Sequence, residues 1–309
     1  MKLSIVTTLY QSAPYIQEFH ERASAVARQI VDEEYEIIFV NDGSPDKSLE
    51  LAIELTVRDH HVILVDLSRN FGHHKAMMTG LSYAKGEQIF LIDSDLEEEP
   101  EYLISFSMQM QRDCCDVIYG VQEQRKGGWF ERWSGSLFYS LFNILTGLSL
   151  PENAVTARLM TRRYVDSLLL HKEREILIAG LWQITGFNQQ PHFIKKYSES
   201  ATTYTLRRKM ALLVNSVTSF SNAPLIIIFY IGIIISFLAV SYITWLLVHL
   251  AFLAKPLSGW TSIMASIWLL GGMIISFVGV IGIYLSKIFS ETKQRPYTIV
   301  REIYARKES

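Results

Sequence analysis

No Asp, Glu, Lys or Arg occurs between Met210 and Ala254, and none between Pro256 and Ser286. Charge-free runs of that length restrict a chain more than any other feature. A hydrocarbon core of about 30 Å is crossed by roughly 20 helical residues, and Leu225–Leu253 and Trp260–Ser286 are each long enough. The connection between them, "AKPLSGW", carries one charge, Lys255. The sequence therefore predicts transmembrane helices at 224–254 and 259–287; a buried hairpin of a soluble protein is the alternative. Arg207, Arg208 and Lys209 precede the pair, and Lys287, Lys293, Arg295 and Arg301 follow it. Basic residues collect on the cytoplasmic side, which predicts two cytoplasmic ends, a tight outer turn and a cytoplasmic tail at 288–309.

The first two hundred residues have ordinary charge and read as a separate soluble domain, 1–206. Apolar runs rich in β-branched residues occur at 3–9 (LSIVTTL), 35–41 (YEIIFVN), 62–67 (VILVDL), 88–93 (QIFLID) and 116–120 (DVIYG). Segments of helical period lie between them, among them 15–31 and 48–58. Strands that are apolar throughout and separated by helices predict a mainly parallel sheet covered on both faces. "MKLSIVTTLYQS" thus reads as a first strand, since its apolar core is short for a signal peptide and no small-residue cleavage site follows. The two cysteines, Cys114 and Cys115, are adjacent; they make no disulfide framework and suit a reducing compartment. A net charge of -2 gives no global basic field for nucleic acid.

In sheets of this type ligands sit beyond the carboxyl ends of the strands. Four polar motifs fall there: "TLYQS", "NDGS", "SRNFGHHK" and "DSDLEEEP". Asp93 and Asp95 supply hard oxygen ligands of the kind Mg²⁺ or Mn²⁺ prefers, although acids also cap helices after strands. Glu97 and Glu98 read as helix-start charges or as support behind the metal. Ser44 and Asp46 read equally as helix caps or site residues. His73 and His74, adjacent at a helix start, point apart and make a poor metal pair. Residues 129–147 place Trp129, Phe130, Trp133, Leu137, Phe138, Leu141, Phe142 and Leu145 on one helical face. Such a face suits a membrane interface or packing on the domain. The segment 207–223 reads as a juxtamembrane helix.

Taken in order, "NDGSPDKS", "LSRNFGHHKAMMTGL", "IDSDLEEEPE", the basic aromatic segment and "NSVTSFSNAPL" before two spans resemble the polyprenyl-phosphate glycosyltransferases of glycosyltransferase family 2. The resemblance covers essentially the whole chain and is to the bactoprenol-phosphate glucosyltransferase and dolichyl-phosphate mannose synthase groups. It implies a GT-A α/β domain followed by interfacial helices and a transmembrane hairpin in a bacterial plasma membrane. It also implies a UDP-sugar donor, an undecaprenyl phosphate acceptor, inversion at the anomeric carbon, and Mg²⁺ or Mn²⁺ as cofactor. Asp95 would ligate the metal, and Asp93 would hold the ribose or reach the metal through water. Asp42 would bond the base with Tyr10 beside it, while Arg69 and Asn70 would line the nucleotide side. Arg125 and Arg132 would hold the lipid phosphate or make ordinary headgroup contacts. A homo-oligomer, with a tetramer favoured, a flippase and a downstream glycosyltransferase complete the implied partners.

The chain departs from the family pattern around the sugar. "TTLYQS" stands where Pro-x-Tyr-Asn-Glu is usual, so Thr8, Gln11 and Ser12 alter base recognition. Thr156 replaces a common Asp, Gln122 replaces a common Arg, and "SESATTYTLRRK" replaces a Gly-x-Ser-Lys-Tyr run, while Arg158 is retained. The sugar is therefore not read from the sequence. Two other classes compete: a transferase extending a glycan, for which "GLWQITGF" lacks the Gln-x-x-Arg-Trp motif, and a non-catalytic membrane partner, against which both aspartates argue.

Overall fold

Strands β1 (Leu3–Leu9), β2 (Tyr35–Asn41) and β3 (Val62–Leu67) form where the sequence is apolar without alternation. Every residue of β1 and β2 is buried, as expected of strands covered on both faces. With β4 (Gln88–Leu91) they make a parallel core in which β1 lies between β2 and β4. The computed structural model describes residues 1–122, 140, 143–147, 151, 153–174, 176–195, 214, 217–253 and 259–306. They divide into two units, one carrying the sheet and one carrying the apolar helices.

Helices α1 (Ile16–Val31), α2 (Ser48–Arg58) and α3 (His73–Tyr83) connect the parallel strands. α1 buries Ile16, Phe19, Ala23, Val26 and Ala27, spaced three or four apart so that one face meets the sheet. α3 packs closely enough on β1 and β2 that a Cβ at Gly80 would fall 2.5 Å from Val6 Cγ1 and 2.8 Å from Val40 Cγ2. After α4 (Tyr102–Asp113) come β5 (Val117–Gln122), β6 (Ala154–Thr161), α5 (Arg162–Leu168), α6 (Ile178–Ile184) and β7 (Gln189–Ile194). β6 inserts antiparallel between β4 and β5, so the run at 116–120 joins the sheet without touching β4.

The second unit holds α7 (Ala223–Leu253) and α8 (Trp260–Thr292). Both are long and apolar enough to cross a membrane, and among the described residues their apolar side chains are not buried in the chain itself: Trp268 is 80% exposed and Ile275 74%. Tyr284 donates its hydroxyl to Ser221 O at 2.6 Å, and Lys287 Nζ donates to Ser219 Oγ at 2.6 Å.

The described part of the segment expected as a tail, 288–306, carries the end of a helix and a strand. α8 runs on to Thr292, and β8 (Val300–Ala305) adds antiparallel to β3 at the sheet edge. Ser68 N–H donates to Ile299 O at 2.9 Å, and Arg301 bonds Ser68 O at 2.8 Å and pairs with buried Asp66 at 3.3 Å. The sheet order is β7-β5-β6-β4-β1-β2-β3-β8.

Candidate active site

The carboxyl ends of β1, β2, β3 and β4 bring the four polar motifs to one edge. The loops after β1 and β2 are tied together by Asp46. Its Oδ1 accepts from Ser44 Oγ (2.6 Å), Ser48 Oγ (2.5 Å) and Ser48 N–H (3.1 Å), and its Oδ2 accepts from Ala13 N–H at 3.1 Å. The two serine hydroxyls in turn accept the N–H groups of Gln11 (2.8 Å) and Ser12 (3.0 Å). Burial opposes ionisation of Asp46, but these donors outweigh it and hold the carboxyl at about 2. Asp46 is not the N-cap of α2, which is Lys47; it stands one residue earlier and ties the start of the helix to the loop after β1. Tyr10 stands at the rim, 51% exposed.

Asp42 is buried, and both its oxygens are used by the chain. Oδ1 accepts the N–H of Phe71 at 2.7 Å and Oδ2 that of Gly72 at 3.0 Å. It thus clamps the "SRNFG" loop, a backbone role the sequence did not indicate. Burial pushes its carboxyl above the usual value, only partly offset by those two donors. Gly43, at φ +60°, makes the clamp possible: a Cβ there would lie 2.5 Å from Asn70 N and 2.6 Å from Arg69 C. Arg69 and Asn70 are exposed on this loop, with the Arg69 guanidinium over the Phe71 ring at 4.1 Å and bonded to Asn70 O at 2.9 Å.

β4 ends at Leu91, and Asp93 and Asp95 lie in the turn beyond it. Ser94 between them is pinned by its hydroxyl to Thr8 O (2.9 Å) and Ser12 Oγ (3.0 Å). Asp95 is exposed and its Oδ1 accepts Glu97 N–H at 3.1 Å; Asp93 is half-buried. His73 Nε2 sits 3.3 Å from Asp93 Oδ1, with Nδ1 3.0 Å from Thr8 Oγ1. Burial disfavours charge on His73, but Asp93 outweighs it and raises the ring above its ordinary value. His74 turns to Ile176 O at 3.2 Å, so the two histidines serve different neighbours. Among the described residues no third His, Cys or carboxylate joins Asp93 and Asp95 in a ligand cluster. That donor set fits Mg²⁺ or Mn²⁺, which takes one or two carboxylates and completes its shell with phosphate oxygens and water.

Glu98 is not a helix-start charge. Leu96 at φ +60° turns the chain, α4 begins only at Tyr102, and Glu98 is fully buried. It accepts the N–H of Ala157 at 2.7 Å and of Thr156 at 3.4 Å, fixing the start of β6. The retained Arg158 is buried as well, its guanidinium over the Trp182 ring. Burial pushes it down to about 9, against the pull of Tyr164, Glu98 and Tyr119, so it stays a cation at neutral pH. Arg125, Arg132 and most of 129–147 lie outside the described residues.

The sequence profile of glycosyl transferase family 2 matches residues 4–169. The chain belongs to glycosyltransferase family 2. Its mainly parallel sheet has the GT-A-like α/β arrangement of that family. A relative in Mycobacterium tuberculosis (strain CDC 1551 / Oshkosh), named among glycosyltransferases, is 51% identical over 98% of this chain and 89% of its own. Glycosyltransferase YkcC of Bacillus subtilis (strain 168) is 33% identical over 98% of this chain and 94% of its own. A prophage bactoprenol glucosyl transferase homolog of Escherichia coli (strain K12) is 29% identical over 98% of this chain and 99% of its own. Among solved structures, Staphylococcus aureus TarS 1-349 covers 71% of this chain and 65% of its own, at 18% identity and a TM-score of 0.47.

Proposed function

We propose that this family 2 enzyme moves a monosaccharide from a nucleotide sugar, a UDP-sugar, to a polyprenyl phosphate such as undecaprenyl phosphate. The observation that carries the reading is the Asp93-Ser94-Asp95 turn, held rigidly at four converging strand ends in a chain that also has two exposed apolar helices. Full-length similarity to proteins named bactoprenol glucosyl transferase supports the acceptor.

A phosphate oxygen of the acceptor attacks the anomeric carbon, and the bond from that carbon to the donor diphosphate breaks with its electron pair leaving on UDP. One displacement inverts the centre. The acceptor oxygen is already anionic near neutral pH, so the protein's task is to position it more than to deprotonate it. Asp95, with Asp93, would hold Mg²⁺ or Mn²⁺, which when bound would supply positive charge against the departing diphosphate. The Asp46 and Asp42 networks hold the loops that frame the nucleotide, with Tyr10, Arg69 and Asn70 on their exposed surface. Arg125 and Arg132 are assigned to the lipid phosphate, which arginine grips bidentately.

Connectivity bears on location. α7 and α8 lie between β7 and β8 of a single sheet, so spans formed by them return the chain to the side it left. The basic residues before α7 and after α8 support the reading that this side is the cytoplasm, at a bacterial plasma membrane. The test is a screen of nucleotide sugars with undecaprenyl phosphate in detergent, with and without Mg²⁺ or Mn²⁺. Metal-dependent formation of a lipid-linked monosaccharide from one donor is the expected result. Transfer to a glycan but to no lipid phosphate would refute the acceptor.

A further inference from the structure

The amino ends of β2 and β3, opposite the candidate active site, carry a second cluster of ionisable side chains. α1 ends at Val31 and α2 at Arg58, so the short loops that follow bring Glu33 beside His60 and His61. The loops are neighbours because β2 and β3 pair in register, and Ile37 N–H donates to His61 O at 2.8 Å. The candidate ligand atoms of Glu33, His60 and His61 all lie within 4.8 Å of one another.

His61 is the anchor. Its side chain is 3% exposed, stacked on Tyr35 at 4.0 Å and 3°, with the His60 ring 3.9 Å away. Nδ1 lies 2.7 Å from Asp59 Oδ1, and the other Asp59 oxygen is 2.9 Å from His20 Nε2. A carboxylate only accepts, so Nδ1 of His61 must carry the hydrogen. That leaves Nε2 buried and 3.0 Å from Glu33 Oε2, but off the line of a hydrogen bond to it. A buried nitrogen facing a carboxylate oxygen needs a cation between them or a second proton on the ring.

We propose that Glu33, His60 and His61 form a binding site for a divalent transition-metal ion of the Zn²⁺ class, with Asp59 orienting His61 from behind. A carboxylate on the far nitrogen of a ligating histidine is the usual support in zinc sites. Tetrahedral ligands at about 2.0–2.1 Å from zinc lie about 3.3 Å apart, and two of the three side chains are exposed and can move that far. Arg28 Nε, 3.4 Å from Glu33 Oε1, holds one carboxylate oxygen and leaves Oε2 directed at the site. Water fills the fourth position. Imidazole ligands select zinc-like ions over Mg²⁺, and a strand length of roughly 20 Å separates this site from Asp93 and Asp95. The ion would clip two loops across the sheet and take no part in transfer.

The test uses tag-free, full-length protein in detergent, stripped of metal, in an Asp95→Asn background so that the active-site carboxylates contribute little. Zn²⁺ is titrated against a chromophoric chelator, and melting is followed with and without it. One equivalent of Zn²⁺ should bind, and Zn²⁺ should raise the melting temperature. His60→Ala and Glu33→Gln alter exposed side chains, so they should fold normally. Each should weaken Zn²⁺ binding about tenfold or more and abolish the thermal shift. Absence of Zn²⁺ uptake by the parent would overturn the proposal and leave an imidazolium–carboxylate ion pair. Uptake unchanged in both variants would overturn it equally, by placing the ion elsewhere.

Discussion

Replacing Asp46 by Asn should loosen the frame of the nucleotide site by a calculable amount. Asn keeps the shape and one acceptor oxygen but loses the charge that gathers Ser44, Ser48 and Ala13. The carboxyl is lowered from 3.8 to about 2 in the fold. At ~1.4 kcal/mol for each pH unit, this is at most about 2.5 kcal/mol. Solvent screening at this half-buried side chain reduces the expected loss to about 1–2 kcal/mol. Because the folded value is depressed, the stabilisation is present above pH 3.8 and disappears as pH falls towards about 2. The assay is melting of parent and variant followed by circular dichroism across pH 2.5–7. For a domain of this size the difference should be roughly 2–8 °C at neutral pH and should shrink below about pH 4. The KM for the nucleotide sugar should rise, since the loop carrying Tyr10 is released. Equal melting temperatures at pH 7, or a difference as large at the lowest pH as at pH 7, would refute the account of Asp46 as an ionised hub.

Gly43→Ala should cost more than about 2 kcal/mol, because its Cβ meets backbone atoms of Asn70 and Arg69 and φ is positive; melting temperature and donor KM are the readouts. Arg301→Ala leaves Asp66 buried without its cation and should destabilise the sheet by about 1–3 kcal/mol, seen as faster proteolysis of the segment after α8. Asp95→Asn should abolish transfer with an unchanged melting temperature in metal-free buffer, and normal turnover with metal present would remove Asp95 from the proposed metal site. A cysteine introduced at Ser309 should resist labelling from outside intact cells, in keeping with a cytoplasmic end.

The parallel core was legible because its strands are apolar on both faces: 3–9, 35–41 and 62–67 match β1, β2 and β3 residue for residue. β7 and β8 were not, since "QQPHFI" and "VREIYA" are partly exposed edge strands with mixed polarity, and only a distant partner makes them strands. The strand-end position of Asp42, Asp93 and Asp95 could be inferred from spacing, but their hydrogen bonds could not. Asp42 looks like any loop acid until the "SRNFG" backbone folds over it, and Glu98 looks like its neighbours until Leu96 turns it inward. The Glu33–His60–His61 cluster left no motif, because its members come from loops joined only by strand pairing.

β8 also fixes the order in which this protein is completed. Its Arg301 bonds Ser68 across 233 positions of sequence, so the strand leaves the ribosome only after both apolar helices have been made. Until then β3 is an open edge, a template for unwanted pairing. A fragment ended before α7 would keep that defect permanently and should aggregate. A soluble catalytic fragment is better made by replacing residues 205–294 with a flexible linker, so that Val300–Ala305 can still close the sheet.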